Sequence, residues 1–67
     1  MDITVNGTMR SVDAPSADIA TLIDLLGLAG KRIAVERNGE IVPKSRYAET
    51  RVCAGDKLEI VAAVGGG

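Results

Sequence analysis

Alternating apolar and polar residues at the start of the chain predict a β-hairpin. In residues 2–5, Ile3 and Val5 fall on one face of a strand. Asn6-Gly7 follows, and this pair favours a type I′ turn because both central positions of that turn need a positive φ. A second strand is therefore predicted over about residues 9–12, antiparallel to the first.

A helical period replaces the alternation in the next segment. Apolar residues recur at positions i, i+3, i+4 and i+7, which places on one helix face Ile19, Leu22, Ile23 and Leu26. We predict a helix over residues 16–26 with Ser16 as its N-cap and Asp18 near the positive end of the helix dipole. Gly27 is suited to the left-handed conformation that ends a helix.

The second half of the chain begins with another hairpin. Residues 33–37 alternate, Asn38-Gly39 repeats the turn signal, and Pro43 ends the returning strand because it has no N–H to donate. The polar segment over residues 44–51 predicts a turn or short helix anchored by Tyr47.

A last strand is predicted over residues 57–62. Its alternation directs Leu58 and Ile60 inward, and it directs outward Lys57, Glu59 and Val61. One helix with a single apolar face needs one face of a sheet to cover it, which predicts an α+β fold in two layers. If the last strand lies centrally and parallel to the first, the fold is a β-grasp: a mixed sheet of about four to five strands packed on one helix. We assign this domain to residues 1–62.

Composition excludes several classes of function. The chain has 67 residues with a net charge of −1, and it lacks histidine, the commonest general base and metal ligand. Tyr47 is its one aromatic residue, so there is no stacking platform for nucleic acid. No apolar stretch approaches a membrane span. We therefore expect neither an autonomous enzyme nor a metal, nucleic-acid or membrane-binding protein.

The single cysteine, Cys53, cannot form an internal disulfide, and this favours a reducing cytoplasm. Without a second cysteine or a basic cluster beside it, a redox role or a role in accepting persulfide sulfur is disfavoured. We interpret Cys53 as a small packed hydrophobe.

Residues 63–67 predict a flexible tail that ends in Gly65-Gly66-Gly67. Because glycine has no Cβ, such a tail can pass through a narrow channel and bring its carboxylate close to the catalytic groups of another protein. A frayed end is the plain alternative. The predicted β-grasp body favours the functional interpretation.

Several motifs resemble those of the sulfur carrier proteins of thiamine biosynthesis, a ubiquitin-like family. The resemblance covers nearly the whole chain and rests on residues 3–7, residues 21–26, Asn38-Gly39-Glu40-Ile41-Val42-Pro43-Lys44 with Tyr47 downstream, residues 55–60 and the glycine ending. Relatives usually end in two glycines rather than three, and tryptophan is common where this chain has Tyr47.

The resemblance implies a carrier that other enzymes modify. An adenylating enzyme of the ubiquitin-activating type would use ATP and magnesium to convert the carboxylate of Gly67 to an acyl-adenylate. Sulfur from the persulfide of a cysteine desulfurase would then replace AMP, and thiazole synthase would take the sulfur from the resulting thiocarboxylate. The carrier, a monomer, would bind no cofactor of its own.

Three roles are predicted for the end of the chain, two for the glycines and one for the residues just before them. Gly67 would be the modified residue, and Gly65 and Gly66 would thread into the partner's channel. Partner binding is predicted for Val61, Ala63 and Val64, which precede the glycines. Two alternatives stay open: a sulfur carrier of the molybdopterin type, and a β-grasp interaction module whose tail has no role.

Overall fold

Within residues 1–63, short strands and one α-helix account for most of the structure. The structure is a computed structural model and describes residues 1–63. In chain order its elements are β1 (Asp2–Val5), β2 (Thr8–Ser11), β3 (Ser16–Asp18), α1 (Ile19–Leu25), β4 (Ile33–Arg37), β5 (Glu40–Val42), a 3₁₀ helix (Lys44–Arg46), β6 (Arg51–Cys53) and β7 (Lys57–Ala62).

The main sheet has five strands in the order β2-β1-β7-β4-β5. β7 pairs parallel with β1 and antiparallel with β4, so the last strand lies in the centre of the sheet. This mixed sheet and the single α-helix confirm the predicted β-grasp fold.

A small apolar core fills the space between the sheet and α1. Its buried side chains come from the main sheet, from α1 and from the β3–β6 pair: Ile3, Val5, Ala17, Ile19, Leu22, Ile23, Val35, Val42, Val52, Leu58 and Ile60. Leu26, the last residue of the predicted helical stripe, is only half-buried because the helix has ended before it. The alternation along β1 and β7 is therefore confirmed, and so is most of the stripe on α1.

Both Asn-Gly pairs form the turns that their sequence predicts. Asn6 and Gly7 have φ of 52° and 80°, and Asn38 and Gly39 have φ of 51° and 87°. The two-residue turn pairs Val5 with Thr8, so β2 begins one residue earlier than the predicted strand.

The predicted start of the helix is wrong. Ser16 is not an N-cap, because residues 16–18 form β3 and pair antiparallel with β6. The N-cap is Asp18, whose carboxylate accepts a hydrogen bond of 2.7 Å from the backbone N–H of Thr21. That bond and a second one from the Thr21 hydroxyl lower the pKa of Asp18.

The short strand β6 is absent from the sequence prediction. Only Val52 is buried in it, between the exposed Arg51 and Cys53, and three residues are too few to show a period. The predicted packing of Cys53 is also wrong, because its side chain is exposed. The predicted short helix near Tyr47 is confirmed as the 3₁₀ turn.

Candidate functional site

The central strand β7 leads directly to the glycine segment. Its pairing with β4 extends to Ala62, which lies opposite Ile33. One residue further, the backbone N–H of Ala63 donates a hydrogen bond of 2.9 Å to the carbonyl oxygen of Arg32. The backbone is therefore held by the sheet as far as Ala63.

Side chains on the inner face of β7 anchor this strand in the core. Leu58 is 1% exposed and Ile60 is 6% exposed. Ile60 lies opposite Val35 of β4, which is completely buried. Burying side chains of this size contributes about 1.5–3 kcal/mol each, so displacing β7 would be costly.

Asn6 supports β7 just beyond the point where its pairing with β1 ends. The Asn6 Nδ2 donates a hydrogen bond of 2.8 Å to the carbonyl oxygen of Ile60, and its Oδ1 accepts one of 2.7 Å from the N–H of Ile60. The side-chain amide thus takes the place of a neighbouring strand. The turn residue therefore has a second role, which is to position the strand before the tail.

A second asparagine supports the other end of β7. The Oδ1 of Asn38 accepts a hydrogen bond of 2.9 Å from the backbone N–H of Lys57, and its Nδ2 donates one of 3.2 Å to Asp56. Asp56 also accepts bonds from Arg37 Nε at 3.0 Å and from the backbone N–H of Cys53 at 2.9 Å. Both ends of the strand are thereby fixed by residues of tight turns.

The Asp56 carboxylate contributes to stability at neutral pH. Burial raises the pKa of Asp56, but the hydrogen bonds from Cys53, Asn38 and Arg37 and the attraction of Arg37 outweigh burial and bring the pKa below its ordinary 3.8. A folded-state pKa below the unfolded value means that stabilisation is present above about pH 3.8. It is lost as the pH falls through the folded-state pKa.

The outer side of this region is accessible. Val61 points away from the core and is 56% exposed, as its alternation predicts, and Ala63 is exposed as well. The role of Val61 and Ala63 in partner binding stays a prediction. The remaining predicted site residues, Val64, Gly65, Gly66 and Gly67, lie outside the described residues.

Charges of opposite sign lie on two sides of the end of β7. A cavity of about 400 Å³ beside Ile60 and Ala62 is lined by the basic residues Arg10, Lys31 and Arg32, among others. On the outer face of the sheet, Glu36 and Glu59 lie directly opposite each other. The sequence interpretation missed this acidic pair. Its signal was the alternation within residues 33–37, which places Glu36 on the face opposite to that of Val35, combined with the outward placement of Glu59.

Further features bear on other functions. Within residues 1–63, no cluster of three His, Cys, Asp or Glu side chains has a geometry that could hold a metal ion. Over the same residues, α1 and the 3₁₀ turn are too short to span a membrane. Arg46 lies 3.8 Å from Glu49, and both side chains are largely exposed.

Comparison with known proteins gives a consistent result. The model of the ThiS family matches residues 3–67. The sulfur carrier protein ThiS of Bacillus subtilis is 49% identical over 53 residues, which cover 75% of this chain and 80% of that protein. The crystal structure of a thiamine biosynthesis protein (ThiS) from Geobacter metallireducens superposes with a TM-score of 0.90 at 36% identity, over the full length of both chains.

A longer relative, named for an enzymatic activity, contains a segment that is similar to this chain. A thiazole synthase of Paramagnetospirillum magneticum is 51% identical over all 67 residues of this chain. The chain spans only 20% of the length of that relative.

A β-grasp body whose central strand leads to a glycine-rich segment is typical of carrier domains of the ubiquitin-like class. The chain belongs to the ThiS family. It is a sulfur-carrier domain of the thiamine-biosynthesis type, as the resemblance predicted.

Proposed function

We propose that the chain carries sulfur as a thiocarboxylate on Gly67 and delivers it to thiazole synthase, in the cytoplasm and as a monomer. The observation that most supports this proposal is the family match, which extends over residues 3–67 and so includes the glycines. The firm attachment of β7 up to Ala63 gives further support, since a rigid root fixes where the segment leaves the domain.

The first step of the proposed cycle is activation by an adenylyltransferase with ATP and magnesium. A carboxylate oxygen of Gly67 attacks the α-phosphorus of ATP, an acyl–phosphate bond forms, and pyrophosphate leaves. The carboxylate is ionised at neutral pH because its ordinary pKa is about 3.3–3.7. The partner supplies the catalytic groups and the metal.

The second step replaces oxygen with sulfur. The terminal sulfur of a persulfide, formed by a cysteine desulfurase, attacks the acyl carbon and AMP leaves. A thiol then reduces the acyl disulfide, which releases the thiocarboxylate and leaves a disulfide on the donor side. Thiazole synthase accepts this sulfur into the thiazole ring.

The absence of side chains in the glycine segment matters if the segment enters a narrow channel. We propose that Gly65 and Gly66 contact the channel walls through their backbone, where a Cβ would be too wide. Val61, Ala63 and Val64 would contact the partner at the channel entrance.

Intact-mass measurement tests the proposal. We expect the protein, incubated with the adenylyltransferase, ATP, magnesium, cysteine desulfurase, cysteine and a thiol, to gain the mass difference between sulfur and oxygen. Fragmentation should place the change on Gly67. Omission of ATP, or removal of Gly67, should abolish the gain, and Gly66→Ala should slow it without changing the unfolding midpoint. An unchanged mass under conditions that load the Bacillus subtilis carrier would refute the proposal.

A further inference from the structure

The chain contains the same chemically labile pair of residues twice. Asn6-Gly7 and Asn38-Gly39 each form a two-residue hairpin turn, and all four residues have a positive φ between 51° and 87°. Asparagine followed by glycine is prone to spontaneous deamidation, because a glycine without a Cβ leaves its backbone nitrogen open to the asparagine side chain. Since the φ values of the two turns are closely similar, a difference in reactivity within the folded domain has to come from the side-chain contacts.

The contacts of Asn6 hold its side chain against partly buried backbone. Its Nδ2 donates to the carbonyl oxygen of Ile60 at 2.8 Å, and its Oδ1 accepts from the N–H of Ile60 at 2.7 Å. If the amide swung away to react, both backbone groups would lose this partner where water has limited access. Leaving such groups unpaired is costly, so these contacts restrain Asn6.

The contacts of Asn38 are longer and exposed to solvent. Its Oδ1 accepts from the backbone N–H of Lys57 at 2.9 Å, and its Nδ2 donates to Oδ1 of Asp56 at 3.2 Å. If this amide swings away, water can take its place. Asp56 meanwhile keeps its bonds from Arg37 and from the N–H of Cys53. The side chain of Asn38 is therefore the less restrained of the two.

We propose that Asn38 is a deamidation site in the folded domain, and that contact with Ile60 protects the corresponding Asn6-Gly7 pair. Water is the only other reactant. The backbone nitrogen of Gly39 attacks Cγ of Asn38, the bond from Cγ to Nδ2 breaks, and ammonia leaves with the proton of that nitrogen. Water then opens the cyclic imide. Its addition at Cγ yields an aspartyl residue, and its addition at the backbone carbonyl carbon yields an isoaspartyl linkage.

Deamidation at this turn changes the contacts at the start of β7. In the aspartyl product a carboxylate replaces the amide donor that faces Asp56, so two negative charges meet in place of a hydrogen bond of 3.2 Å. The isoaspartyl product lengthens the backbone inside the turn that pairs Arg37 with Glu40. Either product weakens the hold of the β4–β5 turn on β7.

Site-resolved mass spectrometry tests the inference. The purified chain is incubated at neutral pH, in buffer and separately in guanidinium chloride, and trypsin then separates the two pairs into residues 1–10 and 38–44. In the folded chain we expect deamidation to be about tenfold faster at Asn38 than at Asn6. In denaturant, where the contacts are absent, the two rates should be nearly equal. Asn38→Gly should abolish the faster reaction, and the matched change Asn6→Gly should leave it in place.

Several results would overturn the inference. Equal rates in the folded chain, or a faster rate at Asn6, would refute protection by Ile60. A tenfold ratio that persists in denaturant would assign the difference to neighbouring residues and would refute it as well. So would an unreacted Asn38 in the folded chain after the denatured chain has reacted at both sites.

Unfolding experiments test the consequence for β7. The urea midpoint of Asn38→Asp should rise with salt relative to that of Asn38→Gly, because screening weakens the repulsion from Asp56. A salt-independent difference would contradict the proposed clash of carboxylates. These measurements do not depend on the loading of Gly67, so the inference and the proposed function stand or fall separately.

Discussion

The two faces of the β4–β7 pair share one backbone but have opposite chemistry. On the inner face Val35 lies opposite Ile60, and both belong to the core. One position further along, Glu36 lies opposite Glu59 on the outer face, where two like charges meet in solvent. The inner face stabilises the strand that leads to the tail, whereas the outer face gives up some stability. This difference predicts that a substitution on the inner face costs the domain far more stability than one on the outer face.

The largest expected effect is the difference in the free energy of unfolding between truncations on the inner and the outer face of β7. Leu58→Ala removes a buried side chain from the core and should lower the free energy of unfolding by about 2–5 kcal/mol. Val61→Ala, the matched change on the outer face, should alter it by less than about 0.5 kcal/mol. Denaturant unfolding measures both, and Leu58→Met provides a folded core variant if Leu58→Ala does not fold. Equal losses at positions 58 and 61 would contradict the assignment of the faces.

The next effect concerns the asparagine that holds the end of β7. Asn6→Ala removes both side-chain hydrogen bonds to Ile60 and should lower the free energy of unfolding by about 1–3 kcal/mol. Amide hydrogen exchange at Ile60 should accelerate more than exchange at Leu22 in the helix. Asn6→Gly is the control for backbone conformation, since glycine accepts the positive φ. A stability of Asn6→Gly equal to that of the unmodified protein would show that the side-chain bonds contribute nothing.

A smaller effect should follow from the carboxylate at the start of β7. Asp56→Asn should be less stable than the unmodified protein at about pH 7, by roughly 1–2 kcal/mol, because the charged partner of Arg37 is lost. The difference should narrow as the pH falls below about 3.8 and through the lowered pKa of Asp56. Urea unfolding at a series of pH values provides the measurement. A difference that does not depend on pH would contradict the role of the ionised form.

The smallest effect has the opposite sign. Glu36→Gln removes the repulsion from Glu59 and should raise the free energy of unfolding by a few tenths of a kcal/mol. The gain should shrink in high salt. Asp24→Asn on the helix is the matched control and should show no such gain. A loss of stability in Glu36→Gln would mean that this carboxylate supports the fold.

Much of the fold could be predicted because its signals are local. The two Asn-Gly turns set the hairpins, and the period of Ile19, Leu22 and Ile23 set the helix face. The two-layer fold followed from the need to cover one helix with one sheet, and the central place of β7 was the condition for a β-grasp. The exposure of Val61 followed from alternation alone.

The remaining features depend on contacts between distant segments. Pairing of β3 with β6 converts the predicted first turn of the helix into a strand and moves the N-cap from Ser16 to Asp18. The bonds between Asn6 and Ile60 join residues 54 positions apart. The opposition of Glu36 and Glu59 likewise exists only once β4 and β7 are in register. No local period encodes these partners.

Transfer of labelled sulfur tests the central claim most directly. The chain would be loaded on Gly67 with isotopically labelled sulfur, purified, and mixed with thiazole synthase and its other substrates. We predict that the label appears in the thiazole product in an amount equal to the loss of thiocarboxylate from the protein. Unlabelled thiazole formed while the label stays on Gly67 would contradict the claim that this chain is the sulfur donor.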